Sequence, residues 1–275
     1  MPFSPSIIAP PEGWGSQKPS AGTPIDCGHC LARSLEWFLP LSDGSGTLCQ
    51  DASGRGRPGA FVDGVRWATT SSGIVAATTL STNYIRGPAI NVGSGLSCCA
   101  RVFQSQRSSG DAGVISKFYL GGKYSWRLTI GPDGRLMAYL SATGGSGYSA
   151  SSSYFLPLST WTTLGLAWNA SGAAKLYVNG KAVWSSTSAP TSLYASSQPI
   201  WLAMNYDLLA AYAFAGYFDF AAVWSRTLGD AEFAQIADRP FHLFSHFDPQ
   251  AGDGLGRRLV DGSLASHSPI LGAAV

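Results

Sequence analysis

Side chains able to do chemistry are few and scattered in this 275-residue chain: five cysteines, four histidines and three glutamates among sixteen acidic residues. Cys27-Gly28-His29-Cys30 has the spacing of half a zinc site or of a redox dithiol. A structural zinc takes four ligands, yet no second Cys-x-x-Cys or finger-spaced histidine pair follows; His242 and His246 lie far along the chain. A thioredoxin-like role needs a βαβ setting, which the sequence lacks, so the motif reads as a loop and the cysteines as mostly reduced thiols. Glycoside hydrolysis by the common route needs two carboxylates about 5 to 9 Å apart. Glu12, Glu36 and Glu232 fall in three unrelated segments, and the expectation is that the chain is not an enzyme. His29, His242, His246 and His267 all fall outside the expected core, so none is poised to activate a serine. Gly54-Arg55-Gly56-Arg57-Pro58-Gly59 satisfies a dinucleotide-binding pattern in letters only, because Pro58 and β-rich surroundings exclude the strand-to-helix turn that pattern requires.

Recognition of a sugar or a partner protein remains open to this composition. Sugar binding uses aromatic faces beside hydrogen-bonding groups. Trp126, Trp168, Trp184, Trp201 and Phe220 sit in strand-like runs and are assigned to the core, where large rings dominate burial. The loop aromatics are the site candidates: Tyr148 and Tyr154 in and beside the Gly-Ser-rich stretch from Gly144 to Ser153, and Tyr206, Asp207 and Tyr212 in the loop before the last strand. Either loop could meet a glycan or a protein.

The elements that must position these residues are strands. Lys175 to Ser185 holds two β-rich runs joined by Asn179-Gly180, a pair that tolerates the positive φ angles of a type I′ hairpin turn. Further strands are expected at Leu35–Leu41, Thr82–Ile85, Leu96–Phe103, Gly113–Phe118, Ser125–Ile130, Leu136–Ser141, Thr162–Asn169, Ile200–Asn205 and Phe214–Trp224. In Ser125–Ile130, Trp126, Leu128 and Ile130 share one face while Ser125, Arg127 and Thr129 share the other. One short helix is expected at Asp230–Ala237, acidic at its start and stopped by Pro240. The fold class is therefore all-β: a two-sheet antiparallel sandwich with one short helix and extended terminal arms. The expected division is an N-terminal docking arm at 1–33, the sandwich at 34–240 and an irregular C-terminal tail at 241–275.

Hydrophobic residues make up 45% and charged residues only 12%, about half the usual share, which suits packing against neighbours. The net charge of +2 comes from dispersed residues, and without a basic run nucleic acid is not an expected partner. No apolar stretch approaches a membrane span, and Met1 to Pro11 has no basic leader, so synthesis in a cytoplasm without export is expected.

Three ordered segments carry a family resemblance. Trp37 to Gly54, continuing to Gly56, resembles the opening of LamG-like jelly-roll domains of the concanavalin A-like superfamily. Leu176 to Lys181 resembles their central hairpin, and Phe214 to Asp219 through Trp224 to Glu232 their closing strand and helix. The flanks, Lys18 to Leu35 and Arg239 to Phe244, are similar to those of LamG-like proteins of tailed bacteriophages. That resemblance implies a jelly roll and a virion structural role, as a capsid decoration or tail-associated protein, made in the bacterial host cytoplasm. Its partners would be capsid or tail subunits and further copies of itself, as a homo-oligomer; the alternative is carbohydrate binding for attachment to a host glycan. No cofactor is implied beyond calcium, which some LamG-like domains hold at the rim. Asp51, Asp111 and Asp207 are the loop candidates for it, although turn aspartates commonly cap backbone N–H groups instead.

Overall fold

Among the described residues sixteen strands form where β-branched, aromatic and small residues alternate between Gly, Ser and Asp turns. The computed structural model describes residues 18–119, 123–205 and 209–244. In chain order the strands are β1 (Leu35–Leu39), β2 (Leu48–Cys49), β3 (Gly59–Val62), β4 (Arg66–Thr70), β5 (Gly73–Thr78), β6 (Tyr84–Arg86), β7 (Gly95–Gln106), β8 (Ala112–Tyr119), β9 (Lys123–Ile130), β10 (Arg135–Leu140), β11 (Tyr148–Phe155), β12 (Trp161–Asn169), β13 (Ala174–Val178), β14 (Lys181–Ser186), β15 (Trp201–Leu202) and β16 (Ala215–Trp224), followed by helix α1 (Asp230–Asp238). They pair antiparallel into two sheets. The first has the order β14-β13-β12-β7-β16-β5-β4, with β1 also on β16; the second has the order β11-β10-β9-β8-β15-β6-β3-β2. Among the described residues no helix is long and apolar enough to cross a membrane.

The two inner faces bury one continuous core, including Trp37, Trp126, Trp168, Leu128, Leu140, Leu166 and Phe218. The Asn179-Gly180 hairpin forms as expected, with φ of 47° and 77° and Val178 paired to Lys181. It doubles as a seat for α1, because a Cβ on Gly180 would stand 2.7 Å from the Ala234 Cα. Tyr177 stacks on Phe233 at 3.9 Å and its hydroxyl donates to Asp230 at 2.6 Å. The Glu232 carboxylate accepts from the Gly229 N–H at 2.9 Å and closes the helix start.

Two sequence expectations are corrected. The Gly-Ser-rich stretch is not a loop throughout: Tyr148 to Phe155 is strand β11, with Ala150 and Ser152 buried while Ser149, Ser151 and Ser153 are exposed. Small side chains in period two satisfy an edge strand, although their composition reads as turn. Strands β2 to β5 were likewise hidden by dense Gly and Ser punctuation. Parts of the expected arm and tail are described. Residues 18–33 and 241–244 lie on the outer face of the first sheet, where Leu31, Phe241, Leu243 and Phe244 join Phe38, Phe220, Trp224, Phe233 and Ile236 in a second apolar cluster. The Asp26 N–H donates to the Leu243 carbonyl at 2.9 Å, and the Trp224 indole N–H to the Leu31 carbonyl at 2.7 Å. Buried Asp219 holds both Lys18, at 3.0 Å, and Arg101, at 2.7 Å. Apolar side chains spaced along these segments, together with the Lys18–Asp219 pair, dock them without periodicity to announce it. The remainder of the arm, 1–17, and of the tail, 245–275, lies outside the described residues.

Candidate functional site

The outer face of the second sheet carries an aromatic belt. Register places Arg86, Trp201, Ser116, Arg127 and Tyr139 in one row across β6, β15, β8, β9 and β10. All of them face away from Ile85, Leu202, Leu128 and Leu140, which fill the core. Tyr84 and Tyr119 flank Trp201, with ring centroids 6.0 and 5.7 Å from it. Phe118 stacks on Tyr124 at 4.1 Å and meets Tyr139 edge-on at 5.0 Å. The guanidinium of Arg127 lies over Phe118 at 4.5 Å and over Tyr139 at 5.4 Å, and it pairs with Asp111 at 3.1 Å.

The belt has two tiers. Trp201 and Phe118 are only 4% and 3% exposed and form the floor, whereas Tyr119 is 37% exposed and Tyr84, Tyr124 and Tyr139 are half-buried. Two buried rings thus underlie four partly exposed tyrosines. Gly147 leaves room for the Tyr139 ring, which a Cβ there would meet at 2.6 Å. Burial and the Asp63 charge raise the Tyr84 phenol above its ordinary value, against the opposing pull of Arg86, so it stays protonated and able to donate.

Beside the belt, a 3₁₀ turn at Ala210–Tyr212 borders Gly110 and Asp111: the Gly110 N–H donates to the Ala211 carbonyl at 2.8 Å. The Asn205 amide donates to the Asp111 carbonyl at 3.3 Å. Among the described residues its own Oδ1 and the hydroxyl of Thr129, on the outward side of β9, are buried without a hydrogen-bond partner. Chemically, the surface offers flat faces for the C–H side of a sugar ring, and a bridged guanidinium, a carboxylate and phenols for its hydroxyls.

Of the residues named from sequence, Tyr212 sits at the rim of this belt beside Gly110. Tyr148 and Tyr154 do not belong to it. Tyr148 spans the two sheets, donating to Ser186 at 2.9 Å and packing on Trp184, while Tyr154 is 39% exposed on the edge strand. Tyr206 and Asp207 lie outside the described residues. Trp126 and Trp168 are core as expected, but Trp201 and Phe220 are buried on outer faces rather than between the sheets. Sequence reasoning looked for site aromatics in loops and assigned Trp201 to the core, so it did not single out the strand tyrosines of the belt. Tyr139, which alternates with core Ala138 and Leu140 along β10 and pairs with Arg127, was the available signal.

Other candidates resolve into structural duties. Asp51 accepts from the N–H groups of Phe38, Ser53 and Arg57 at 3.1, 2.9 and 3.0 Å, which makes it a turn cap. Glu36 is tied to Arg55 and Arg57, and Glu232 to Arg226. His29 and His242 do meet, with ring centroids 5.2 Å apart and the Gln235 amide 3.4 and 3.2 Å from their facing nitrogens. His29 Nδ1 accepts from the Leu31 N–H at 3.2 Å, so that nitrogen is engaged in capping. Among the described residues no group of three or more His, Cys, Asp or Glu is placed to hold a metal ion.

A sandwich of this topology with an open aromatic face defines a lectin-like architecture. Residues 61–234 match the profile of the concanavalin A-like lectin/glucanases superfamily, and the chain belongs to that superfamily. No curated protein matches the chain. Among solved structures, it is similar to domain 4 of AbnA, a GH43 extracellular arabinanase from Geobacillus stearothermophilus, in complex with arabinotriose: TM-score 0.59, 19% identity, 74% of this chain and 98% of that one. It is also similar to the receptor binding domain of botulinum neurotoxin D (TM-score 0.60, 16% identity, 76% of this chain) and to the binding domain of Paraclostridial Mosquitocidal Protein 1 (TM-score 0.58, 13% identity, 75% of this chain). The chain spans about half the length of those two domains, 53% and 52%.

Proposed function

We propose that this protein is a non-catalytic carbohydrate-binding component of a bacteriophage particle that contacts a host-surface glycan through the belt of Tyr84, Tyr119, Tyr124, Tyr139 and Arg127. The observation that carries the reading is the two-tier construction: buried Trp201 and Phe118 underlie partly exposed Tyr84, Tyr119, Tyr124 and Tyr139 on one outward sheet face, an aromatic patch of the kind that marks an interaction surface. The superfamily, and neighbours whose own descriptions include arabinotriose and receptor binding, support the ligand class.

The virion part of the reading is supported by the two flanks that resemble tailed-phage proteins. They come together in space, since 18–33 and 241–244 share one apolar layer over the first sheet.

Glycan-array screening of the purified chain, with arabino-oligosaccharides and ganglioside glycans included, tests the ligand class. Saturable binding that falls at least tenfold in Tyr119→Ala and Tyr139→Ala, with unchanged thermal unfolding, is expected. Silence across the array, or binding indifferent to both changes, overturns the carbohydrate reading. Peptide mass spectrometry of purified virions tests the location, and absence of the chain from particles overturns it.

A further inference from the structure

Helix α1 and the docked segments cover the outer face of the first sheet around Cys99, Tyr177 and Phe220. Beyond them, register sets Trp161, Phe103 and Tyr217 side by side on β12, β7 and β16. All three rings are half-buried, and they point away from Val102 and Phe218, which fill the core. The Phe103 ring centroid lies 5.6 Å from that of each neighbour. The guanidinium of Arg101 lies over Trp161 at 4.9 Å.

The same Arg101 belongs to a cleft of about 900 Å³, lined by residues 18–21, by the β4–β5 turn at 70–74 and by Pro240 and Phe241. Lys18 fixes the first of these, donating to the carbonyls of Leu41 and Ile74 and pairing with Asp219. Arg101 and Asp219, paired at 2.7 Å and both buried, form the floor, and Arg101 lies 3.5 Å from the Ser72 hydroxyl. Ser20, Ser42, Thr70, Ser71 and Ser72 add hydroxyls to the lining. Its charged groups are Lys18 and Arg101 against Asp43 and Asp219, two of each sign.

From this juxtaposition we infer that the cleft and the rings beside it form a second site, for a neutral saccharide, on the face opposite the belt. The volume is that of a ligand pocket, about 300 to 1,000 Å³. Five hydroxyls that both donate and accept suit a ligand whose own groups do the same, and the rings of Trp161 and Tyr217 offer flat faces to C–H groups. The balanced charges select against an ionic sugar, because a carboxylate brought into the cleft would lose water without meeting an uncompensated cation. The buried Arg101–Asp219 pair ties the floor of the cleft to the ring platform, so the two halves keep a fixed spacing. Residues 18–21, 42–43 and 240–241 lie outside the stretch that matches the superfamily, so this cleft is a feature of the chain's own flanks. It shares no residue with the belt and does not depend on the reading given to it.

Calorimetric titration of the full chain carrying Tyr119→Ala and Tyr139→Ala separates this site from the belt. The probes are gluco-, galacto-, manno-, xylo- and arabino-oligosaccharides, with oligogalacturonate and sialyllactose as acidic counterparts. Saturable binding of at least one neutral probe is expected, weakened at least tenfold when Trp161→Ala is added. Hydrogen-exchange mass spectrometry of the wild-type chain with that probe should show slowed exchange in peptides covering 70–74 and 159–163, which decides the matter should a variant fail to fold. No neutral probe bound, binding of the acidic probes alone, indifference to Trp161→Ala, or slowed exchange confined to belt peptides overturns the inference. The belt reading falls on a different result, binding by the wild type that Tyr119→Ala and Tyr139→Ala leave unchanged.

Discussion

Lys117 is fully buried on the core side of β8, opposite Trp126, where its ammonium donates to the Ile90 carbonyl at 2.7 Å and to Asn91. Among the described residues no carboxylate pairs with it, and burial pulls its pKa down to about 8. The gap from an ordinary lysine near 10.4 corresponds to about 3 kcal/mol, the amount by which the protonated form is disfavoured in the fold. Below pH 8 the side chain is charged in both states and that penalty applies in full. Between about pH 8 and 10.4 the unfolded chain binds more protons than the native one, so this contribution to stability rises with pH; above 10.4 the penalty is gone. Lys117→Met removes the titration. It also strips partners from Ile90 and Asn91, at a pH-independent cost of about 1 to 3 kcal/mol. Urea unfolding of both proteins from pH 7 to 10.5, in reductant, gives a difference curve that cancels every other titrating group. Wild type should gain about 3 kcal/mol on the variant across that range. A flat difference, or one of opposite slope, would show that Lys117 is not held charged in a dry site.

The absolute stability of both proteins should nevertheless fall at alkaline pH. Burial pushes the thiols of Cys49, Cys98 and Cys99 far up. They stay protonated in the fold while unfolded thiols ionise above about 8.5, each removing about 1.4 kcal/mol per pH unit. Three of them outweigh the single lysine, so unfolding midpoints that rise above pH 9 would contradict the buried assignment. Asp219→Ala, which leaves Lys18 and Arg101 without the carboxylate both of them contact, should cost about 3 to 5 kcal/mol by denaturant titration; a loss under 1 kcal/mol would refute the buried network. Gly180→Ala, at a φ of 77° and against the Ala234 backbone, should cost at least about 1 kcal/mol, and thermal unfolding within a degree of wild type would argue against the seat described for α1.

Period-two patterns with large residues, as in Ser125–Ile130, and the Asn179-Gly180 turn were legible because their local chemistry and their tertiary environment agree. Strand β11 was not, since serine in period two carries no hydrophobic signal and only pairing with β10 reveals it. The belt was hidden for the opposite reason. A tryptophan in a strand has the same local signature whether it faces the core or the outer floor, and the choice for Trp201 is settled by its register with Ser116 and Arg127. The docking of 18–33 depends on Lys18 meeting Asp219 across two hundred residues of chain, which no local pattern encodes.

The layer formed by 18–33 and 241–244 fixes how the domain can be mounted. Lys18 and Phe244 both rest on the outside of the first sheet, and the tyrosines look out from the outside of the second. The two outer faces are thereby divided, the first and last described residues lying on one and the belt on the other.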